Sequence, residues 1–332
     1  LSFWVKSLQE SNNPLLSQKS ESILKEGAQF DIVIIGGGLT GLWLAYYLSE
    51  ENPNLKISIF EKAQVGYGAS GRNGGWLSSE VPVELPALKK RGMTDEAIAE
   101  IYDKMAEAVD EVERVTIAEN IDCDLYRGGI LTLATNQAQL SRLTAEALGQ
   151  DEKILDQDEA YERIHTKAIG AHYDPVGARI HPLKLLLGLK RILLKRGIFI
   201  YENREVLAFK AGQLTVAGND ENNKIGANKR INVTASQIIC CTEAYSEPLL
   251  KDHKVIPINS SIIVTEIISE ERWKKIGWEN RELLADNAHL FFYAQRTADD
   301  RILIGGRGTP YNYGGKDAGI GTLDQKTQDA LF

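Results

Sequence analysis

FDIVIIGGGLTGLWLAYYLSEENPNLKISIFEK, residues 30–62, runs from an unbroken apolar strand through a cluster of glycines into a helix and out to a second strand. That order is a βαβ unit. A strand apolar on both faces belongs in the middle of a parallel sheet covered by helices. Gly36, Gly38 and Gly41 satisfy GxGxxG at the point where strand gives way to helix, which is the context the motif requires. The first glycine turns the chain, the second lets backbone approach a pyrophosphate, and the third lets helix pack on strand. Leu39 and Thr40 open the helix, whose positive end favours phosphate. Glu61, twenty positions past Gly41 and followed by Lys62, is placed to accept hydrogen bonds from ribose hydroxyls. An acid there disfavours a 2′-phosphate and so NADP.

A second glycine-rich stretch, VGYGASGRNGG at residues 65–75, follows at once, with glycine at 66, 68, 71, 74 and 75. Each glycine costs backbone entropy on folding, so the segment answers a geometric need. An NAD domain has no use for it. A buried flavin does, because it must be enclosed along its pyrophosphate, ribityl chain and ring. On this reading Gly68 belongs to the cofactor-binding set and the amides from Ala69 to Gly71 face phosphate, with the Ser70 hydroxyl beside them. Asn73, Gly74 and Gly75, leading into Trp76, bring bare backbone against the isoalloxazine. Arg72 is placed to stabilise the anionic reduced ring.

Composition bounds the rest. The chain has 332 residues, 43% hydrophobic and 25% charged, enough for one large α/β domain or two interleaved ones. A net charge of -8 opposes non-specific binding to nucleic acid or anionic membrane. Cys123, Cys240 and Cys241 form neither a disulfide framework nor a metal spacing, and the histidines lie far apart, so no metal site is expected. No apolar run reaches the roughly 18 residues of a membrane span, and no secretory signal opens the chain, so a cytoplasmic protein is expected.

Beyond the βαβ unit, residues 1–28 read as an irregular arm tied down by an aromatic anchor at Phe3 and Trp4. Apolar positions three or four apart from Ile98 to Val115 predict an amphipathic helix over 94–119. GGILTLAT reads as a strand, NQAQLSRLTAEAL as a helix capped by Asn136, and DQDEAYERI as a short helix. AIGAHYDPVGARIHP alternates like a strand with a turn, and a helix opened by Pro182 and closed by Gly197 follows. Residues 204–242 read as short antiparallel strands around a polar hairpin, ending in a buried strand at 238–241 that holds Cys240 and Cys241 in the core. IPINSSIIVTEII, LLADNAHLFFYAQRT and RILIGGR supply a second sheet.

GGGLTG, IFEK and VGYGASGRNGG together resemble the D-amino-acid-oxidase-type FAD-dependent oxidoreductases, and GASGRNGG is especially similar to the branch containing gamma-glutamylputrescine oxidase. YDPVGARIHPLKLLLGL, ASQIICCTEAY and DDRILIGGR extend the resemblance over most of residues 28–308. The resemblance implies an α/β (α+β overall) protein in which a glutathione-reductase-type Rossmann FAD domain is interleaved with a mixed-sheet substrate domain. The expected boundaries are an arm at 1–28, the FAD domain at 29–85 and 175–245, and the substrate domain at 86–174 and 246–332.

It further implies oxidation of a C–N bond by hydride transfer to flavin N5, hydrolysis of the imine, and reoxidation by oxygen or another acceptor. Val206 would meet the adenine through its main chain and Thr242 the pyrophosphate side. No histidine or cysteine falls at a covalent-flavin position, so non-covalent FAD is expected. Glu243 departs from the glycine usual after that threonine, which requires a different local backbone or an acid turned outward. The family also continues past the point where Phe332 ends this sequence, with a segment that closes over the flavin. The alternative reading is therefore an incomplete or non-catalytic flavin-binding protein.

For catalysis, hydride loss from a neutral amine needs a positioned substrate more than a base. Tyr293 and Arg296 in FFYAQRT are expected on one pocket-facing strand, with Arg296 holding a substrate carboxylate bidentately. Together with Arg72 they are the catalytic candidates.

Overall fold

A computed structural model describes residues 2–18, 23–81, 83, 85–146, 151–219, 225–250, 260–289 and 291–307. In chain order the strands are β1 (Ala28–Ile35), β2 (Ile57–Phe60), β3 (Trp76–Leu77), β4 (Ile130–Ala134), β5 (Lys153–Leu155), β6 (Gly170–Asp174), β7 (Ala178–Arg179), β8 (Phe199–Tyr201), β9 (Val206–Lys210), β10 (Gln213–Asn219), β11 (Ile225–Cys240), β12 (Ser260–Val264), β13 (Leu283–Asp286), β14 (Phe292–Arg296) and β15 (Ile302–Arg307). Chain contacts divide the molecule into two units. Among the described residues the chain passes between them at 73/74 and 181/182, where the sequence places exchanges near 85 and 174.

The first unit holds a six-stranded sheet in the order β8-β2-β1-β11-β10-β9. Its parallel strands are buried because helices cover them, and all four residues of β2 are inaccessible. The helix Leu39–Glu51 crosses from β1 to β2, and β1 turns its other edge to β11. The order thus reverses at β1, and ligands of open α/β sheets bind beyond the strand ends at such a switch point. Phe30, Val33, Phe60, Tyr201, Val216 and Val233 form the core beneath it.

Two expectations for this unit are corrected. The arm at 1–28 is not wholly irregular: Phe3–Glu10 is a helix capped by Ser2, with Trp4 and Leu8 buried. Burial of that face stabilises an element too short to persist alone. The strand expected at 238–241 is the end of β11, which is sixteen residues long, and it is half-buried. Cys240 and Cys241 are accordingly half-buried, and Cys123 alone of the three cysteines lies in the core.

The second unit contains a seven-stranded mixed sheet, β12-β15-β14-β13-β4-β6-β5, and the ribbon β3-β7. Leu131, Leu133, Trp273, Trp278, Leu284 and Ala294 pack its core. The amphipathic helix is Asp95–Ala118, capped by Thr94, and Asn136 caps Gln137–Glu146 as its side chain accepts from the Gln139 amide at 3.1 Å. The IPIN part of the first predicted strand of this sheet lies outside the described residues.

Candidate cofactor site

A cavity of about 680 Å³ opens at the switch point of the first unit, within the range of small-molecule and cofactor sites. Five segments line it, 35–40, 60–63, 66–70, 204–207 and 241–243, together with Tyr245 and Leu249. The glycine turn is built by collision avoidance. A Cβ on Gly36, whose φ is +111°, would sit 2.5 Å from the Cys241 carbonyl oxygen. One on Gly41 would sit 2.1 Å from the Gly36 carbonyl oxygen, so helix and strand close only without it. A Cβ on Gly38 would sit 2.8 Å from Ser70 Oγ, and that hydroxyl oxygen accepts from the Leu39 amide at 3.0 Å. The second glycine segment is therefore anchored at the helix N-terminus, and the Ser70 hydroxyl proton is left to donate to an anion.

Glu61 is held by its own loop. Oε2 accepts from the Gly37 amide and Oε1 from the Ala63 amide, each at 2.8 Å. Lys62 spends its charge on Glu205, at 2.8 Å. Val206 lines the wall at the start of β9, beside Arg204, whose guanidinium burial pushes down in pKa. Thr242 Oγ1 meets Ser246 Oγ at 2.8 Å. Glu243 keeps the backbone a glycine would adopt, with φ at +42°. The Glu243 side chain is exposed to solvent at the rim of the cavity it helps to line, and its carboxylate accepts from the Ala244 amide.

The second glycine segment divides in use. Gly66 to Ser70 face the cavity, whereas Gly71 is packed on Gly66, whose carbonyl oxygen a Cβ would approach to 2.0 Å. Arg72 does not line the cavity; its Nη2 donates to the Tyr245 hydroxyl at 3.0 Å and its Nε to the Gly68 carbonyl at 3.3 Å. Asn73 Nδ2 donates to the Ser70 carbonyl at 2.8 Å, and the Asn73 carbonyl accepts from Trp4 Nε1 at 2.8 Å. In the second unit, bare backbone at Gly74 makes room for the Tyr293 ring, with which a Cβ would collide. Gln295 Nε2 donates to the carbonyls of both Gly74 and Gly75. Trp76 meets Tyr293 edge to face at 5.9 Å.

The pairing of Tyr293 with Arg296 is corrected. Side chains alternate along a strand, so positions three apart leave opposite faces of β14. Tyr293 shares a face with Gln295 instead, and its hydroxyl meets Ser260 Oγ at 3.0 Å. Burial pushes the Tyr293 pKa up. Arg296 is buried, stacks 3.9 Å over the Trp273 ring, pairs with Asp300 at 2.8 Å and donates to the Trp278 carbonyl at 3.1 Å. It is committed to the protein and is not a substrate clamp. Sequence reasoning passed over Arg179, a buried arginine in the otherwise apolar stretch VGARIHP; a charge at an inward strand position was the available signal.

The sequence profile of the FAD dependent oxidoreductase family, DAO, matches residues 31–332. The chain belongs to this family. FAD is its cofactor, and the residues present fit it: the crowded glycines, the helix N-terminus with Ser70, and Glu61 stand around one cavity. Among curated relatives, the gamma-glutamylputrescine oxidoreductase of Escherichia coli (strain K12) is 30% identical over 295 residues, covering 85% of this chain and 66% of that protein. The probable oxidoreductase OrdL of Haemophilus influenzae is 27% identical and covers 83% and 64%. The chain thus spans just under two thirds of the length of these relatives. Glycine oxidase from Geobacillus kaustophilus superposes with a TM-score of 0.61 at 20% identity, over 86% of this chain and 73% of that one. L-proline dehydrogenase from P. horikoshii superposes at 0.64 and 18%, over 86% and 72%. These likenesses show the α/β fold expected from the sequence. Among the described residues no helix is long and apolar enough to cross a membrane, and no group of acidic, histidine and cysteine side chains is disposed to hold a metal.

Proposed function

We propose that this DAO family member oxidises a C–N bond of an amine or amino acid. The observation that carries the reading is the meeting, in one cavity, of the glycine turn, Glu61 and the backbone of Gly66 to Ser70. The Leu39 end of the first long helix and Ser70 hold the pyrophosphate, Glu61 the adenosine ribose, and Val206 and Thr242 border the adenine and pyrophosphate. Non-covalent FAD, when bound there, would supply the two-electron acceptor for the hydride leaving the carbon attached to the amine nitrogen, with oxygen or another carrier as the final acceptor. The substrate also loses a proton, and water then hydrolyses the imine.

Of the three catalytic candidates, Arg72 is engaged with Tyr245 and Arg296 with Asp300, while the Tyr293 hydroxyl, which meets Ser260 Oγ, keeps capacity for a further hydrogen bond. Its raised pKa keeps the phenol protonated at neutral pH, so it positions the amine by hydrogen bonding rather than removing a proton. Similarity to gamma-glutamylputrescine oxidoreductase and glycine oxidase supports amines and amino acids as the substrate range. Three free cysteines support a reducing, cytoplasmic setting. The purified protein should carry, or take up, the two-band absorbance of oxidised flavin and bleach anaerobically with one of a panel of γ-glutamyl amines and N-methyl amino acids. Flavin retained but bleached by none of the panel would refute the oxidase reading.

A further inference from the structure

Tyr67 and Tyr245 line the cofactor cavity from two different segments, and neither the glycine turn nor Glu61 accounts for them. Tyr67 belongs to the second glycine stretch and Tyr245 to the turn after β11. The two residues are 55% and 40% exposed, so each presents surface that a ligand can cover. Arg72 joins them. Its guanidinium carbon lies 5.1 Å from the centre of the Tyr67 ring, its Nε donates to the Gly68 carbonyl at 3.3 Å, and its Nη2 donates to the Tyr245 hydroxyl at 3.0 Å. The Tyr245 ring packs on Gly68, where a Cβ would sit 3.5 Å from its Cε2. The turn that carries Tyr245 is braced from within, since Thr242 Oγ1 meets Cys240 Sγ at 3.0 Å and Ser246 Oγ at 2.8 Å.

A phenol oxygen that accepts from a guanidinium keeps its own proton to give. Among the described residues nothing takes the Tyr245 proton. Hydrogen bonds in series strengthen one another, so the contact with Arg72 makes Tyr245 the better donor. Charge points the same way. Arg72 makes no ion pair among the described residues, whereas Lys62 in the cavity wall is paired with Glu205 at 2.8 Å. The wall also carries the carboxylates of Glu61 and Glu243, and a pyrophosphate adds further negative charge. A cation set behind a hydroxyl donor offsets that excess. We propose that Tyr245 is a ligand of the cofactor's pyrophosphate, giving a second hydroxyl donor in addition to Ser70, and that Arg72 and Tyr67 are the positioning residues that aim it. Packing on Gly68, two residues before Ser70, sets Tyr245 at the same part of the wall. The inference rests on the placement of the pyrophosphate at Leu39 and Ser70.

Release of FAD from the loaded protein, followed by the rise in flavin fluorescence after dilution, tests this at about 0.15 M salt, where exposed charges are screened beyond about 8 Å. Tyr245→Phe removes the hydroxyl and keeps the ring, and it should release FAD about tenfold faster. A pyrophosphate signal in the phosphorus NMR spectrum of the loaded protein should shift with it. Arg72→Met should release FAD several-fold faster and Arg72→Lys less so. The double variant should be no faster than Tyr245→Phe alone, because the arginine acts through the phenol. Tyr67→Phe keeps the ring face and should match the parent, while Tyr67→Leu should resemble Arg72→Met. A parental release rate or an unmoved phosphorus spectrum in Tyr245→Phe overturns the proposal, as do effects that multiply in the double variant. Should those variants not fold, Tyr67→Leu releasing FAD at the parent's rate overturns it. Ser70→Ala separates the two possible failures. If it speeds release and Tyr245→Phe does not, the pyrophosphate placement stands and the Tyr245 ligand falls; if neither does, both fall.

Discussion

Glu243 holds φ at +42°, a region in which a Cβ crowds the following carbonyl, and it does so beside a site for a doubly negative ligand. Glu243→Gly should stabilise the apo-protein by roughly 0.5–1 kcal/mol and also tighten FAD. Glu243→Gln should reproduce the FAD effect without the stability gain, because it removes charge and keeps the Cβ. Urea denaturation and flavin titration read the two separately; a Glu243→Gly variant no more stable than the parent would refute the strain argument. Gly41→Ala should do the reverse, since its Cβ would fall 2.1 Å from the Gly36 carbonyl oxygen. Lower thermal stability and lost FAD binding are expected together. At Asp174, burial raises the carboxyl pKa, although Val176 N–H and the Ser79 hydroxyl donate to it. A raised folded pKa contributes stability that is complete below the unfolded value of about 3.9 and is lost as pH climbs through the folded value. Asp174→Asn keeps an acceptor for Val176, so its stability should gain on the parent as pH rises from about 4 through the raised folded value. Parallel curves of urea midpoint against pH would contradict this.

Among the elements, the helix Phe3–Glu10 has a role beyond covering the core. Trp4 Nε1 holds the Asn73 carbonyl, Asn73 Nδ2 holds the Ser70 carbonyl, and Ser70 Oγ holds the Leu39 amide. Trp4→Phe keeps the ring and breaks the first of these bonds, at a cost of about 1 kcal/mol, which should weaken FAD roughly fivefold. Flavin fluorescence titration checks it, and an unchanged affinity would show the brace to be idle. The βαβ unit was legible because its signals are local: an apolar strand, glycines at fixed offsets, an acid at the second strand's end. The first helix was not, since its eight residues persist only where Trp4 and Leu8 find a tertiary surface. Strand parity at Tyr293 and Arg296 could have been read from spacing alone. The buried, unbonded Nε of Arg179 could not, because it depends on where distant segments place their acceptors. Within 65–75 the sequence shows that glycine is concentrated but not what each one meets: Gly71 answers to Gly66 and Gly74 to Tyr293, demands that only a folded chain displays.

For the molecule as a whole, FAD binding adds to folding stability by mass action. Free FAD a hundredfold above its Kd should contribute about 2.7 kcal/mol, visible as a rise in Tm. ADP alone should give part of that rise and compete with FAD, because the cavity described here lies within the first unit. No shift with either nucleotide would count against the site.

The partner of β1 along one edge is β11, and Ile35 pairs with Cys240, about 200 residues later. During translation the opening βαβ segment must therefore wait, one strand edge bare, until most of the polypeptide has left the ribosome. Contacts so distant in sequence form slowly, and an uncovered apolar edge invites intermolecular pairing meanwhile. Nascent chains stalled before residue 225 should be protease-sensitive and sticky, and those stalled with β11 fully emerged should not.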